Sequence, residues 1–198
     1  MPPLSLVKGS APPRLRAPAQ ELDVDTLARA QRGDDAACAA LVECYQGRVF
    51  AVVGRTLGSA RAARVEDVCQ ECFLKVFRAL PRFDARGSAK LSTWILTIAT
   101  RLCLDELRAR QHRLHDELTD DLAAPPLTEP VALERALRRR VERALATLPP
   151  ELRATFALRV TAELSVQETA SVLGVDEGTV KSRLSRARER LRAEIGEV

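Results

Sequence analysis

The sequence predicts an all-α protein: two small helical domains joined by an acidic flexible linker. Ala, Leu, Arg and Glu, all strong helix formers, supply 101 of the 198 residues, whereas a sheet would have 3 Ile and 7 aromatic residues to draw on. Apolar residues recur at helical spacing through two separate stretches. Charge divides the chain in the same way. Residues 36–113 carry 13 basic and 7 acidic groups, residues 114–134 carry 6 acidic and no basic ones, and residues 135–198 carry 13 basic and 9 acidic ones. Two basic blocks flanking an acidic connector have the charge layout of two polyanion-binding modules on a tether, although Arg-rich helices that merely face water would give the same count.

The first 33 residues are expected to be a disordered tail. Met1 to Gln20 holds Pro at five positions and no apolar run, so it does not read as a secretory signal. No stretch approaches the ~18 uninterrupted apolar residues of a membrane span. The expected location is therefore cytoplasmic, with no membrane partner. Five cysteines (38, 44, 69, 72 and 103) in such a chain read as reduced thiols that fill core positions.

The first domain is expected over residues 34–113, as a bundle of three or four helices. From Asp34 to Gly58, Leu41, Tyr45, Val49 and Val52/Val53 make one apolar face. A second helix runs from about Val65 to Leu80, with Val65, Val68/Cys69, Cys72, Val76 and Leu80 inward. Its other face carries Asp67, Gln70, Glu71, Leu74, Lys75 and Arg78. A polar, Gly-containing loop from Arg82 to Lys90 follows. The third helix begins near Leu91, where Ser92 or Thr93 is a candidate cap, and runs to about Arg110. Trp94, Ile95, Ile98 and Leu102 form its expected buried stripe, and Arg101 and Arg108 point outward. Trp94 reads as core; Phe83, beside the loop, reads equally as core or as a platform for a nucleic-acid base.

Residues 114–132 have three Pro, a single charge sign and no helical period, the signature of an extended linker. The second domain is expected over residues 133–198. A basic helix runs to Leu148 and stops at Pro149-Pro150. Another spans about Glu151 to Val160, with Leu152, Phe156 and Val160 on one face. Ser165-x-x-Glu168 is a capping box before a short helix that turns Val166, Ala170 and Leu173 inward. Gly174 suits a left-handed helix end, and Asp176 can cap the next helix, whose stripe is Val180, Leu184, Ala187 and Leu191. Short helix, glycine turn and longer basic helix make a helix-turn-helix. Burial of that stripe frees Lys181, Ser182, Ser185 and Arg186 near the N-terminal half, where major-groove contacts are made. A Lys or Arg there can read guanine O6/N7, at ~1–3 kcal/mol of discrimination per good bidentate pair. Arg183, Arg188 and Arg190 suit phosphates.

Asp67-x-x-Gln70-Glu71-x-Phe73-x-Lys75-x-Phe77, with Phe83, Trp94 and the run Ile98 to Arg108, resembles region 2 of bacterial sigma factors of the sigma-70 family, in its extracytoplasmic-function (ECF) group. Leu148-Pro-Pro-Glu-Leu-Arg-x-x-Phe156 and the helix-turn-helix resemble region 4 of the same group. The resemblance implies a sigma factor that binds core RNA polymerase, directs it to promoters and assists melting. Asp67, Gln70, Glu71, Leu74 and Lys75 would then dock on the β′ clamp helices. Phe83, Arg86, Lys90, Arg101 and Arg108 would engage the −10 element, and Thr179, Lys181, Ser182, Arg183, Ser185 and Arg186 the −35 element. The second domain would contact the β flap, the linker would follow the product-RNA path, and an anti-sigma protein would be a further partner. Thr100-Arg101 departs from the group, which often has Arg-Asn there.

Two other classes compete. A free-standing helix-turn-helix regulator would need no polymerase, but it leaves the Asp67–Phe77 helix, the loop and the linker without a task. An enzyme is disfavoured because His112 and His115 lie at a polar, basic helix end and no catalytic set or phosphate-binding loop is recognisable. Cys69-x-x-Cys72 has the spacing of a metal or redox pair, which His112, His115 or Cys103 could complete. Both cysteines fall on the apolar stripe of a helix, where small buried residues are expected, so no metal or cofactor is assigned.

Overall fold

Aspartates open the first two helices. Asp23 accepts the Thr26 N–H and Asp34 the Ala37 N–H, each at 2.8 Å, which satisfies first-turn donors of α1 (Val24–Gln31) and α2 (Asp35–Leu57). The structure, a computed structural model, describes residues 21–58, 62–87, 89–113 and 140–195, and among these all regular structure is helical. The expected linker, the start of the second domain, the first 20 residues and the side chains of His112 and His115 lie outside the described residues. Helix α1 corrects the expectation of a disordered tail to residue 33. Leu27 and Ala30 are buried against α2, too few apolar positions to make a periodic signal. Gly33, at φ 84°, turns the chain from α1 into α2.

Helix α2 is long and apolar enough to cross a membrane by length and composition. Here its apolar face is spent on the bundle. Leu41, Tyr45, Val49 and Val53 are buried against α3 (Ala62–Ala79) and α4 (Leu91–Arg113). Val65, Val68, Cys69, Cys72, Val76 and Leu80 face them as the spacing predicts, and Phe73 joins them. Burying each large apolar side chain contributes about 1.5–3 kcal/mol, so this seam outweighs any surface term in the domain. A 3₁₀ turn, Leu80–Arg82, leads into the loop before α4.

Helix α4 departs from expectation in two ways. The residues that it buries in the core of the first block are Leu91, Ile95, Ala99, Cys103 and Leu107, whereas Trp94, Ile98 and Leu102 are partly buried at the margin of that core. Ser92 and Thr93 do not cap it; both lie inside the first turn. The Ser92 N–H and hydroxyl instead donate to the Glu21 carboxylate, which reaches across from the segment before α1. Local sequence suggests a cap, but a distant carboxylate supplies it.

In the second block, residues 140–146 form α5. Pro150 sits at the first position of α6 (Pro150–Phe156), where its missing N–H leaves no helical bond unmade. One turn of π-helix, Ala157–Thr161, then shifts the register. That shift is why Val160 is 48% exposed while Ala157 and Leu158 are buried, contrary to the predicted face. The capping box at Ser165 and Glu168 forms, and α7 (Val166–Leu173) ends at Gly174 with φ 65°. Val172, not Leu173, is its deepest apolar residue. Asp176 caps α8 (Glu177–Ile195), accepting the Thr179 N–H at 2.7 Å.

The two blocks pack on each other. Val52 of α2 and Leu96 of α4 share an apolar cluster with Ala157, Leu158, Leu164 and Val172. Arg153 is the buried polar bolt of this seam. Its Nη2 donates to Ala146 O (2.6 Å) and Leu148 O (2.8 Å), closing the end of α5, and its Nη1 donates to Thr56 O (3.2 Å) at the end of α2. Charge-assisted bonds of this kind contribute about 1.5–3 kcal/mol each when removal leaves carbonyls unmet. We predict that Arg153→Met lowers stability by about 2–4 kcal/mol in denaturant titration; a change below about 0.5 kcal/mol would refute this role.

Candidate nucleic-acid interface

The recognition surface of the helix-turn-helix is built from the inside outward. Val180, Leu184, Ala187 and Leu191 are buried in one stripe of α8, against α6 and α7. With that face fixed, Lys181, Ser182, Ser185 and Arg186 are exposed on the opposite face of its N-terminal half. Ser182 donates to Thr179 O (3.0 Å), and Thr179 donates to the capping carboxylate of Asp176 (2.7 Å). Thr179 is thus engaged in the cap and only half-exposed, and Arg183 is half-buried beside the stripe. Arg188 and Arg190 extend the basic face. Asp176, held below the usual carboxylate range by the Thr179 hydroxyl and N–H, stays charged at the helix N-terminus.

A second polar surface surrounds the loop between α3 and α4. Asp84 shapes its tip, accepting the Arg86 N–H at 2.9 Å, while Arg86 itself projects into solvent. Phe83 packs on Trp94 with ring centroids 5.0 Å apart, so the ring face toward α4 is already occupied. Of the two sequence readings of Phe83, this favours a wall of the loop over a free platform. Arg101 and Arg108 are exposed along α4, the latter 3.3 Å from Asp105.

Helix α3 presents the third surface. Asp67, Gln70, Glu71 and Lys75 are exposed; Leu74, expected in the open, is half-buried among them. Asp67 lies 3.5 Å from Arg64, and Glu71 lies 3.3 Å from Lys75. Exposed pairs like these contribute 0–1 kcal/mol, so a partner's charges can replace them at little cost. Cys69 and Cys72 point away from this surface. Burial pushes their thiols and that of Cys103 well above the ordinary cysteine range, so they remain neutral in the core. Among the described residues no cluster of His, Cys, Asp or Glu could hold a metal ion.

Lys90, expected on DNA, is engaged within the chain when the two blocks are packed together. Its ammonium lies 2.8 Å from Glu168 of α7, across the seam between the blocks. Lys90 above all, then the Ser165 N–H, holds the Glu168 carboxyl down at about 2. Sequence reading missed this pair, and Thr93, Leu96 and Thr100 as a second buried face of α4. Leu96 packs under the second block and the two threonines lie one turn to either side. A local pattern cannot show a face that another domain covers.

Residues 41–113 match Sigma-70 region 2, and residues 138–191 match Sigma-70, region 4. The ECF RNA polymerase sigma factor SigW of Bacillus subtilis is 30% identical over 180 residues, covering 85% of this chain and 94% of SigW. This chain belongs to the sigma-70 family, in its ECF group. The ECF RNA polymerase sigma-E factor of Escherichia coli K12 is 34% identical over 181 residues, covering 86% of this chain and 92% of its own. CnrH, solved with the cytosolic domain of CnrY, shares the fold at TM-score 0.64 and 24% identity, over 85% of this chain and 94% of CnrH. A sigma factor directs polymerase, and the likeness spans both blocks, so the free-standing regulator is set aside.

The Lys90–Glu168 pair in this sigma factor is testable by side-chain reactivity. Glu168 raises the Lys90 pKa, chiefly through their hydrogen bond. We predict that Glu168→Gln, which keeps the capping box, speeds acylation of Lys90 several-fold relative to Lys75. An unchanged ratio would refute the pairing. Because the Glu168 pKa is depressed from 4.5 to about 2, the pair's contribution is present above about pH 4.5 and is lost as pH falls toward 2.

Proposed function

We propose that this sigma factor works in two arrangements, a closed one with the blocks packed together and an open one on polymerase and promoter. The observation that carries this reading is the seam itself, where a basic residue of the α3–α4 loop is held by the helix-turn-helix block. Elements named −35 and −10 lie about 25 base pairs apart, or roughly 85 Å of B-DNA. Blocks in contact through Lys90 and Glu168 do not span that distance. Residues 114–132, if extended, reach about 63–68 Å, which with the blocks' own dimensions is enough.

In the open arrangement Lys181, Ser182, Ser185 and Arg186 read the −35 element in the major groove. Arg183, Arg188 and Arg190 hold phosphates. The loop with Arg86 and Lys90, walled by Phe83, and the basic face of α4 with Arg101 and Arg108 take the −10 strand. Unstacked bases need pockets and their phosphates need cations, and the loop and helix offer both. Thr179 acts through the cap that orients the start of α8. Asp67, Gln70, Glu71, Leu74 and Lys75 face the β′ clamp helices, and the second block meets the β flap. The factor performs no covalent chemistry; it lends polymerase sequence selectivity. It acts in the cytoplasm, and an anti-sigma partner would silence it by holding the closed arrangement.

Transcription in vitro with purified core polymerase, beside DNA binding without polymerase, tests the reading. Promoter-specific transcripts that require both protein and core, with weak DNA binding by the protein alone, are the expected result. Lys181→Ala with Arg186→Ala should abolish promoter-specific initiation while sparing core binding. Charge reversal at Asp67 and Glu71 should weaken core binding tenfold or more and leave the helix-turn-helix folded, at about 1.4 kcal/mol per tenfold. Equal loss of both activities in either variant would refute the division of labour.

A further inference from the structure

The segment from Glu21 to Gln31 lies upstream of the residues that match region 2, yet it touches both ends of the α3–α4 loop. At the loop's start, the Gln31 amide donates two hydrogen bonds from one nitrogen, to Leu80 O at 3.1 Å and to Phe83 O at 2.7 Å. The Phe83 carbonyl belongs to the first loop residue, beyond the helical ladder of α3; Leu80 O, which opens the 3₁₀ turn, also accepts the Phe83 N–H at 3.0 Å, so the Gln31 amide ties the two ends of that turn together. At the loop's end, the Glu21 carboxylate accepts the Ser92 N–H at 3.3 Å and the Ser92 hydroxyl, in the first turn of α4. Glu21 is itself held. The Tyr45 hydroxyl donates to it at 2.8 Å and accepts the Leu22 N–H at 2.9 Å, tying the segment to the middle of α2. Burial raises the Tyr45 pKa, so the phenol keeps the proton that it donates.

We infer that residues Glu21 and Gln31 are positioning residues for the promoter-melting loop: Gln31 fixes where the loop leaves α3, Glu21 fixes where it enters α4, and the spacing of Phe83, Arg86 and Lys90 is set between these two anchors. This rests on the reading of that loop as the −10 contact. The physical case is one of order. A loop that captures an unstacked strand loses affinity by whatever it costs to organise its contacts on binding, and anchoring both ends beforehand removes part of that cost. The Phe83–Trp94 ring contact adds a third tie between the loop's start and α4. A packing role alone would not need donors aimed at loop carbonyls, because Leu27 and Ala30 already bury α1 against the bundle.

The test measures binding of holoenzyme to a single-stranded DNA carrying the −10 element of a promoter that it transcribes, and to a duplex carrying only the −35 element. Gln31→Leu and Glu21→Ala should each weaken single-strand binding about tenfold and shrink the preference for the matched over a base-substituted strand. Duplex binding and core affinity should stay near wild type while the thermal midpoint falls by a few degrees at most, and Glu21→Gln, which keeps an acceptor for Ser92, should lose less than Glu21→Ala. Arg86→Ala is the control on the loop itself. If Arg86→Ala weakens single-strand binding and neither anchor variant does, the anchors have no positioning role. If Arg86→Ala also has no effect, the −10 reading of the loop fails and the inference falls with it. Parallel loss of all binding and of the thermal midpoint in both anchor variants would make the segment a structural prop and overturn the proposal.

Discussion

Everything in this molecule is arranged around the burial of α4 on two sides. Along one side Leu91, Ile95, Ala99, Cys103 and Leu107 complete the core of the first block. On the other, Leu96 anchors the second block through Leu158, Leu164 and Val172. A helix with one apolar stripe would leave the second block only Val52 and the Thr56 carbonyl of α2 to rest on. A second face gives it a broader seat, on the helix that also carries the exposed Arg101 and Arg108.

The two seams differ in kind. The first is apolar apart from the Tyr45 hydroxyl and is built from α2, α3 and α4, so opening it would unfold the block. The second is small and mixed, combining a few apolar side chains, Arg153 and the exposed ion pair of Lys90 with Glu168. It also carries a penalty: among the described residues, the buried hydroxyls of Thr93 and Thr100, to either side of Leu96, have no hydrogen-bond partner. Each such group costs about 1–3 kcal/mol. Contacts between domains of this size and polarity are mobile by default. A seam that is specific but marginal is what a protein needs if its two reading heads are to meet in one state and part in another.

Much of the fold was legible because it is local. The stripes of α2, α3 and α8 repeat within a few turns, and the capping box at Ser165 and Glu168 is written in four consecutive residues. So were the family resemblance and the exposed face of Lys181, Ser182, Ser185 and Arg186. The rest depends on partners far away in sequence. The Glu21 carboxylate that closes the start of α4 is 71 residues from Ser92, so the nearby Ser92 and Thr93 look like caps and are not. The π turn at Ala157–Thr161 breaks the period that placed Val160 inside. The family resemblance implies a DNA contact at Lys90, and no local pattern reveals that Glu168, 78 residues on, pairs with it when the blocks are packed together. Helix α1 escaped because two buried side chains do not make a period.

In the proposed cycle this sigma factor closes when free and opens to work. The most direct measurement is the distance between a probe on α3 at Arg78 and one on α8 at Arg190, by energy transfer, in the free protein and then with core polymerase and promoter. A short distance is expected in the free protein and a separation greater by tens of ångströms in the complex, following the roughly 85 Å between the two elements. An unchanged distance in a complex that transcribes from its promoter would contradict that cycle.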